Sequence, residues 1–557
     1  MVRSLLQVFS KEVRGMHQAA YVLAAFALGS QLLALVRDRL LAAHFGASHT
    51  LDLYYAAFRI PDFLFATVAS LLSLYALLPI LTKYEKEGGG RMLSFLRQIL
   101  FVFFVGMGVI AAIVFAFVPS ITAHLAPEIA SPELTLLVRI LLLQPILLGA
   151  SNILASYTQL RNRFFLYSIS PLLYNIGIII GIMVLYPLAG VAGLGWGVVL
   201  GAALHLLVQL PFFTSEKATE HVPARVVWRD LLQVLGLSVP RTLALAAGQL
   251  SLLALVSLAS YLATGSISIF MFAYNLQAVP LTIIGVSYSV AAFPTLARMH
   301  ANGEHAEFSR YLETALRHIF FWAIPATVFV VVLRAQLVRV ILGAGAFDWS
   351  ATRLTAAALA LFVLSLAAQS VTLLIARAYY AAGNTKKPLY WGAANVVVSI
   401  CSALGLVALF HSSIFLRSFI EVLLRVADIP GTSVLMLALG YALGAILQFT
   451  LGFYFFTRDF RVDRTRIGAL VFQSFAASVI GSACSYVVLA LTGTAGTINT
   501  ALGLVTQGAA AGIIGLGVTG LVLYSLKNQE LCEAWTALHR RFAPAPAVSI
   551  ETTDISS

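Results

Sequence analysis

The sequence predicts an all-α polytopic membrane protein of about 14 transmembrane helices, built as two six-helix lobes related by an internal repeat plus two C-terminal helices. Three observations predict it. Of the 557 residues, 60% are hydrophobic and 10% charged, whereas a water-soluble domain has about a quarter of its residues charged. Mean hydropathy is +0.92, and the apolar residues fall in runs near the roughly 20 needed to cross a hydrocarbon core. Lys and Arg then gather in alternate junctions between the runs, as a chain threading back and forth requires.

In order, the runs are 20–36, 53–82, 98–122, 134–160, 164–185, 188–213, 230–260, 268–296, 315–342, 354–380, 388–410, 432–456, 467–492 and 500–526. Residues 1–19 read as a cytoplasmic amphipathic lead-in rather than a cleaved signal, because the apolar run comes late and leads straight into more charges. The first lobe then covers 20–213, a cytoplasmic linker 214–229 and the second lobe 230–456. The last two helices fill 457–526, and 527–557 is a cytoplasmic tail. Even junctions are basic: Lys83, Lys86, Arg91 and Arg97; Arg161 and Arg163; Lys217, Arg225 and Arg229; Arg298 and Arg310; Lys386 and Lys387; Arg458, Arg461, Arg464 and Arg466. Odd junctions carry few cations, so both termini are expected in the cytoplasm. The net charge of +12 is then an orientation signal and a contact with anionic lipid headgroups, not a nucleic-acid footprint.

The repeat is carried by LYYAAFRIPDFLFATVASLLSLYALLPILTK (53–83) and IFMFAYNLQAVPLTIIGVSYSVAAFPTLAR (269–298). Each has an aromatic-Ala pair, a proline, and then Pro79 or Pro294 followed by x-Leu-x-Lys/Arg. With an even number of spans per copy, both copies point the same way and leave a cleft between the lobes for a substrate. No phosphate-cradling G-x-x-x-x-G-K-[ST] occurs, nor H-E-x-x-H or G-x-S-x-G. ATP hydrolysis and protease or esterase chemistry are therefore not expected. Cys401, Cys484 and Cys532 lie far apart and read as small core residues, and the scattered histidines as packing or interfacial groups rather than metal ligands.

One stretch stands apart. VRDRLLAAHFGASHTLDLYYAAFRIPDF (36–63) places Arg37, Asp38, Arg39, Asp52, Arg59 and Asp62 between two apolar runs. Asp52, Tyr55, Arg59 and Asp62 fall at i, i+3, i+7 and i+10, one narrow polar face of a helix. Charges at depth cost several kcal/mol unless they face a cavity or one another. Asp52 also suits a helix N-terminus, Arg59 and Asp62 also suit a structural i, i+3 pair, and Arg37 and Asp38 also suit interfacial anchors.

These residues resemble the MurJ/MviN lipid II flippase family of the multidrug/oligosaccharidyl-lipid/polysaccharide exporter superfamily, in divergent form. The resemblance rests on ALVRDRLLAAHFGASHTLDLYYAAFRIPDFL, with support from LLPILTKY (77–84), NRF, SPLLYNIG (170–177), AAFPTLAR (291–298) and GAFDWSATRLTAAALA (345–360). It implies the exporter fold in a bacterial inner membrane and a non-enzymatic flippase working by alternating access. The implied cargo is the undecaprenyl-pyrophosphate-linked peptidoglycan precursor, lipid II, with membrane lipids and the cell-wall synthesis machinery as partners and no cofactor. The implied substrate-binding residues are Arg37, Asp38, Asp52, Arg59, Asp62 and Arg241, with Arg139 as a further cation.

The chain departs from the family where Gln31 and Phe65 replace arginines, where ASLLS (69–73) replaces an acidic-Gly step, and where Tyr274-Asn275 replaces an Asp-Arg pair. Fewer cations for a pyrophosphate leave three alternatives open: an exporter of another lipid-linked glycan, a drug/cation antiporter of the same superfamily, and a non-transporting scaffold. The segment 411–430 reads as an amphipathic helix at the outer interface, with Glu421 and Arg425 at i, i+4.

Overall fold

The computed structural model of the chain describes residues 16–72, 74–87, 89–161, 163–215, 224–460, 462, 464–493 and 501–542. Most of the lead-in, linker positions 216–223 and tail positions 543–557 lie outside the described residues. Within them the chain is helical, without strands. The N-terminal half contains α1 (Met16–Phe45), α2 (His49–Ala57), α3 (Arg59–Thr67), α4 (Leu74–Glu87), α5 (Gly89–Leu125), α6 (Pro132–Leu160), α7 (Phe164–Ala189) and α8 (Val191–Leu207). The C-terminal half contains α9 (Ala224–Ser260), α10 (Ser266–Ala301), α11 (His305–Leu342), α12 (Trp349–Val363), α13 (Leu366–Ala381), α14 (Lys386–Ser412), α15 (Ile414–Leu424) and α16 (Val434–Asp459). Helices α17 (Arg464–Gly493), α18 (Ala501–Ser525) and α19 (Gln529–Phe542) follow.

Nine helices among the described residues are long and apolar enough to cross a membrane, or ten if α12 and α13, bent by 44°, form one span. The expected count of about 14 is not reached on that measure. Helix α8 and the stretch Ala246–Ser260 are apolar but short. The run 53–82 is not one helix. Pro61 has no N–H for the carbonyl of Ala57, so α2 gives way to α3 at Phe58. A 3-10 turn at Ala69–Leu72 then divides α3 from α4. The second copy of the repeat is also interrupted midway, by a π turn at Thr282–Val286 within α10.

Side-chain caps start several helices: Ser48, Ser131, Asp348 and Ser413 accept the N–H of Leu51, Leu134, Ala351 and Leu416. Where α7 crosses α8, Gly177 and Gly181 face Gly197 and Gly201, and a Cβ at any of them would strike backbone. Small residues at four-residue spacing let two membrane helices touch main chain to main chain, the main source of attraction where lipid is as apolar as leucine. For the same reason apolar composition does not mean burial. Cys401 and Cys532 are exposed and Cys484 half-buried, so the cysteines are not core residues.

The buried side chains form two clusters. One joins the N-terminal half to Leu342, Phe347, Leu354, Phe410 and Val434–Ala438 of the C-terminal half. The other, around Phe308, Leu316, Val371, Tyr379 and Phe456, belongs to the C-terminal half. The halves therefore share a core toward the end carrying Gly46 and Phe347, called here the gate end.

Candidate functional site

The gate end is stitched by backbone and by two of the six charges. Ala346 N–H donates to the Ala43 carbonyl at 2.8 Å. Gly46 and Gly265, both at positive φ, lie so close to Ala346 and Ala47 that a Cβ would collide with those residues' carbonyls. Arg39 sends Nη1 to the carbonyls of Val340 (2.6 Å) and Ile341 (3.2 Å), orphan acceptors in the last turn of α11. Asp52 does the converse at the start of α10: its carboxylate accepts Gly265 N–H (2.6 Å), Ser268 N–H (2.8 Å) and Ser268 Oγ–H (2.6 Å). A cation at a helix C-terminus and an anion at a helix N-terminus both match the helix dipole. Each reaches from one half of the chain into the other. Asp52 thus stands apart from the polar face it was expected to share with Arg59 and Asp62, engaged instead as the cap of α10.

Deeper in, Arg37 holds Asp38 with Nε at 2.9 Å and Nη2 at 2.8 Å, and Nη1 donates to Asn175 Oδ1 at 3.2 Å. Asn175 is itself oriented by donating to the Pro171 carbonyl and to Ser30 Oγ. The second oxygen of Asp38 accepts from Asn275 of α10 at 3.1 Å, a link between the two halves. Further along, Arg59 is buried; its Nε donates to the Tyr55 carbonyl (3.2 Å) and its Nη2 lies 3.4 Å from Asp62. Gln144 Nε2 approaches the other oxygen of Asp62 at 3.5 Å.

Tyr54 and Tyr55 lie within electrostatic reach of charges from both pairs, and Tyr274 within reach of Arg59 and Asp62. Two Arg–Asp pairs thus flank a tyrosine-lined centre. Tyr55 Oη and Gln144 Oε1 are buried with no hydrogen-bond partner among the described residues. Such groups cost roughly 1–3 kcal/mol each unless a polar ligand or water meets them. Beside Arg59, Thr122 and Ser257 help line a cavity of about 30 Å³, space on the scale of a water or two and too small for a sugar headgroup.

The remaining candidates separate. Arg241 lies on α9, and its side chain lies outside the described residues. Arg139 stacks over the Phe115 ring, 4.6 Å from its centroid, with Nε at 3.4 Å from the Phe115 carbonyl, a surface contact away from the two pairs. Asn175 and Gln144 were not anticipated as site residues; Asn175 lies in the SPLLYNIG stretch that supports the resemblance, while the one sequence signal of Gln144 is an amide inside an apolar run. At the gate end, α15 forms as expected, but Glu421 pairs with Arg417 (3.0 Å) and Thr432 (2.6 Å), not with Arg425. Arg425 ends the helix in the left-handed conformation and turns to Tyr486.

With that geometry in view, the chain compares as follows. The family model described as lipid II flippase MurJ matches residues 41–505. The lipid II flippase MurJ of Burkholderia cenocepacia is 27% identical over 389 residues, covering 67% of this chain and 74% of that protein. The probable lipid II flippase MurJ of Buchnera aphidicola is 29% identical over 370 residues, covering 65% and 72%. Among solved structures, a lipid II flippase MurJ in an inward closed conformation superposes with a TM-score of 0.70 at 20% identity, over 91% of this chain and 100% of that one. An inward-facing multidrug resistance MATE family transporter of the MOP superfamily gives 0.60 at 15% identity, over 79% and 95%. The structural likenesses speak to the fold.

Proposed function

The chain belongs to the lipid II flippase MurJ family, and from that premise we propose that it moves the undecaprenyl-pyrophosphate-linked peptidoglycan precursor across the bacterial inner membrane by alternating access, as a transporter and not an enzyme. The observation that carries the reading is the pairing of Arg37 with Asp38 and Arg59 with Asp62 around Tyr54 and Tyr55, between membrane-type helices. A guanidinium shielded from water binds two phosphate oxygens at once, and an aspartate partner holds it neutralised when no phosphate is present. The centre is mixed in sign. A drug/cation antiporter is better served by carboxylates without arginine partners, and a scaffold needs no buried charges at all.

In this reading the even-junction cations face the cytoplasm, both termini lie there, and the gate end faces outward. The lobes divide at the 214–229 linker, and the lipid tail rides outside the polar centre while the headgroup passes through it. Energy comes from the membrane potential, an ion gradient or the cargo's own gradient, since an anionic headgroup feels about 2.3 kcal/mol per charge per 100 mV. The cargo emerges where cell-wall synthesis enzymes consume it. The test is flipping of a fluorescent lipid II analogue in liposomes holding the purified chain, with a potential imposed and no ATP. Scrambling no faster than in protein-free liposomes refutes the reading.

A further inference from the structure

The segment 411–430 is usually dispensable length in a membrane protein: a loop between two spans. Here it is built. Helix α15 turns Ile414, Phe415, Phe419, Val422 and Leu423 outward and Glu421 inward, where Arg417 and Thr432 satisfy it. An exposed face of that kind at the end of an apolar helix lies in the boundary between headgroups and acyl chains. The helix ends at Arg425, whose φ of 60° and ψ of 47° are left-handed. The following N–H, of Val426, closes onto the Glu421 carbonyl at 2.8 Å, the six-to-one bond of a glycine-type helix end. Glycine is the favoured residue there, because a Cβ is crowded in that conformation. The chain keeps an arginine instead.

That arginine is aimed. Its Nη2 donates to Tyr486 Oη on α17 at 2.8 Å, with the guanidinium 6.0 Å from the ring centroid. Its carbonyl is held by Arg353, whose guanidinium also takes both oxygens of Asp428. On α11, which packs against α17, Arg334 is half-buried, donates to the Val331 carbonyl of its own helix at 3.0 Å, and lies within electrostatic reach of Arg425. The nearby carboxylates, Glu421 and Asp428, are already committed to Arg417 and Arg353. Arg334 and Arg425 are therefore two guanidiniums within electrostatic reach of each other, with no carboxylate partner among the described contacts. Like charges so placed repel, and an anion between them removes the repulsion.

We propose that Arg334, Arg425 and Tyr486 form a binding site for the phosphate of a membrane lipid, at the gate-end surface between α11, α15 and α17. Two arginines and a phenolic hydroxyl supply the charge-assisted donors a phosphodiester or pyrophosphate takes. The exposed apolar face of α15 lies beside them to receive acyl or prenyl chain. The site stands whatever the protein transports, and its chemistry is shared by a resident anionic phospholipid and by a polyprenyl pyrophosphate.

The test titrates the purified full-length chain in detergent with phosphatidylglycerol, undecaprenyl pyrophosphate and inorganic phosphate, reading binding by thermophoresis. Arg425→Gly is the informative variant, because glycine suits the backbone there and the melting temperature should hold or rise. Arg334→Gln is its independent partner. Each should weaken lipid binding at least fivefold, and Tyr486→Phe should weaken it less. Tighter binding of phosphatidylglycerol identifies a resident phospholipid, and tighter binding of undecaprenyl pyrophosphate a polyprenyl lipid; either supports the site. Lipid affinity unchanged in both arginine variants, or inorganic phosphate binding as tightly as either lipid, overturns it.

Discussion

Asp52 and Ser268 are joined twice: one carboxylate oxygen accepts both the backbone N–H and the hydroxyl of Ser268, at 2.8 and 2.6 Å, while the other oxygen takes Gly265 N–H. The residue lies in the N-terminal half and its partners begin a helix of the C-terminal half. A buried charged acceptor with three donors is a strong link, each such bond being worth about 1.5–3 kcal/mol. A transporter that alternates must break it every cycle.

The first prediction concerns that link. Asp52→Ala strands three donors at the start of α10 and should weaken the closed gate by about 2–3 kcal/mol. Cysteines placed at Ala43 and Ala346, whose backbones already meet at 2.8 Å, report the gate through a short bifunctional crosslinker. Crosslinking should be near complete with Asp52 present and clearly reduced without it. Equal yields would assign Asp52 no part in closure.

The second concerns the α7–α8 crossing. Gly197→Ala adds one methyl where Gly181 backbone already sits, and no side chain can rotate away to admit it. Overpacking of this kind costs about 1–3 kcal/mol. The thermal midpoint in detergent should fall and expression with it, whereas Gly106→Ala, with nothing within 4 Å of the added methyl, should leave both unchanged.

Legibility in the sequence followed the physics of each feature. Helix content could be read because hydropathy acts locally, whereas the run 53–82 reads as one span and is divided at Phe58 and again at Ala69–Leu72. The Arg59–Asp62 pair could be read because i, i+3 spacing nearly dictates contact. The distant partners of the Arg37–Asp38 pair could not, since Asn175 lies 138 residues from Arg37 and Asn275 lies 237 residues from Asp38 and no local pattern points across that distance. Asp52 was misplaced for a related reason. Its spacing from Arg59 assumed one straight helix, and Pro61 interrupts it. Lipid exposure defeated the reading of Cys401, because lipid-facing and core-facing apolar residues have the same composition, and Cys532 lies exposed on the largely polar helix α19.

A third prediction is a pH dependence outside the membrane. Hydrogen bonds from the Arg353 guanidinium hold the Asp428 carboxyl below its ordinary value. A depressed folded value means the stabilisation is fully present above the unfolded value of roughly 3.9 and is lost as pH falls through the folded one. Asp428→Asn should therefore lower the melting temperature slightly and by a constant amount from pH 6 to 8, with the difference from wild type closing below about pH 4. Because the pair is exposed the effect is small. A difference that instead grew toward low pH would assign the pair the wrong sign.

The fourth prediction takes the buried pair of Arg59 and Asp62, 3.4 Å apart. If Arg59 is the cargo's phosphate ligand and Asp62 its resting partner, the two must part in each cycle, and the single variants should fail in different ways. Arg59→Ala leaves Asp62 with Gln144 at 3.5 Å as its remaining neighbour; that should cost a few kcal/mol or protonate the carboxyl, and flipping should collapse while the fold largely survives. Arg59→Lys keeps the charge without the planar fork and should be intermediate. Asp62→Asn frees the guanidinium, so cargo should bind more tightly and leave more slowly. A purely structural pair behaves otherwise: both single changes destabilise alike, and Arg59→Ala with Asp62→Asn restores stability and activity together. Flipping and thermal midpoint measured side by side for the four variants separate the two cases, and wild-type flipping by the double variant would remove Arg59 from the site.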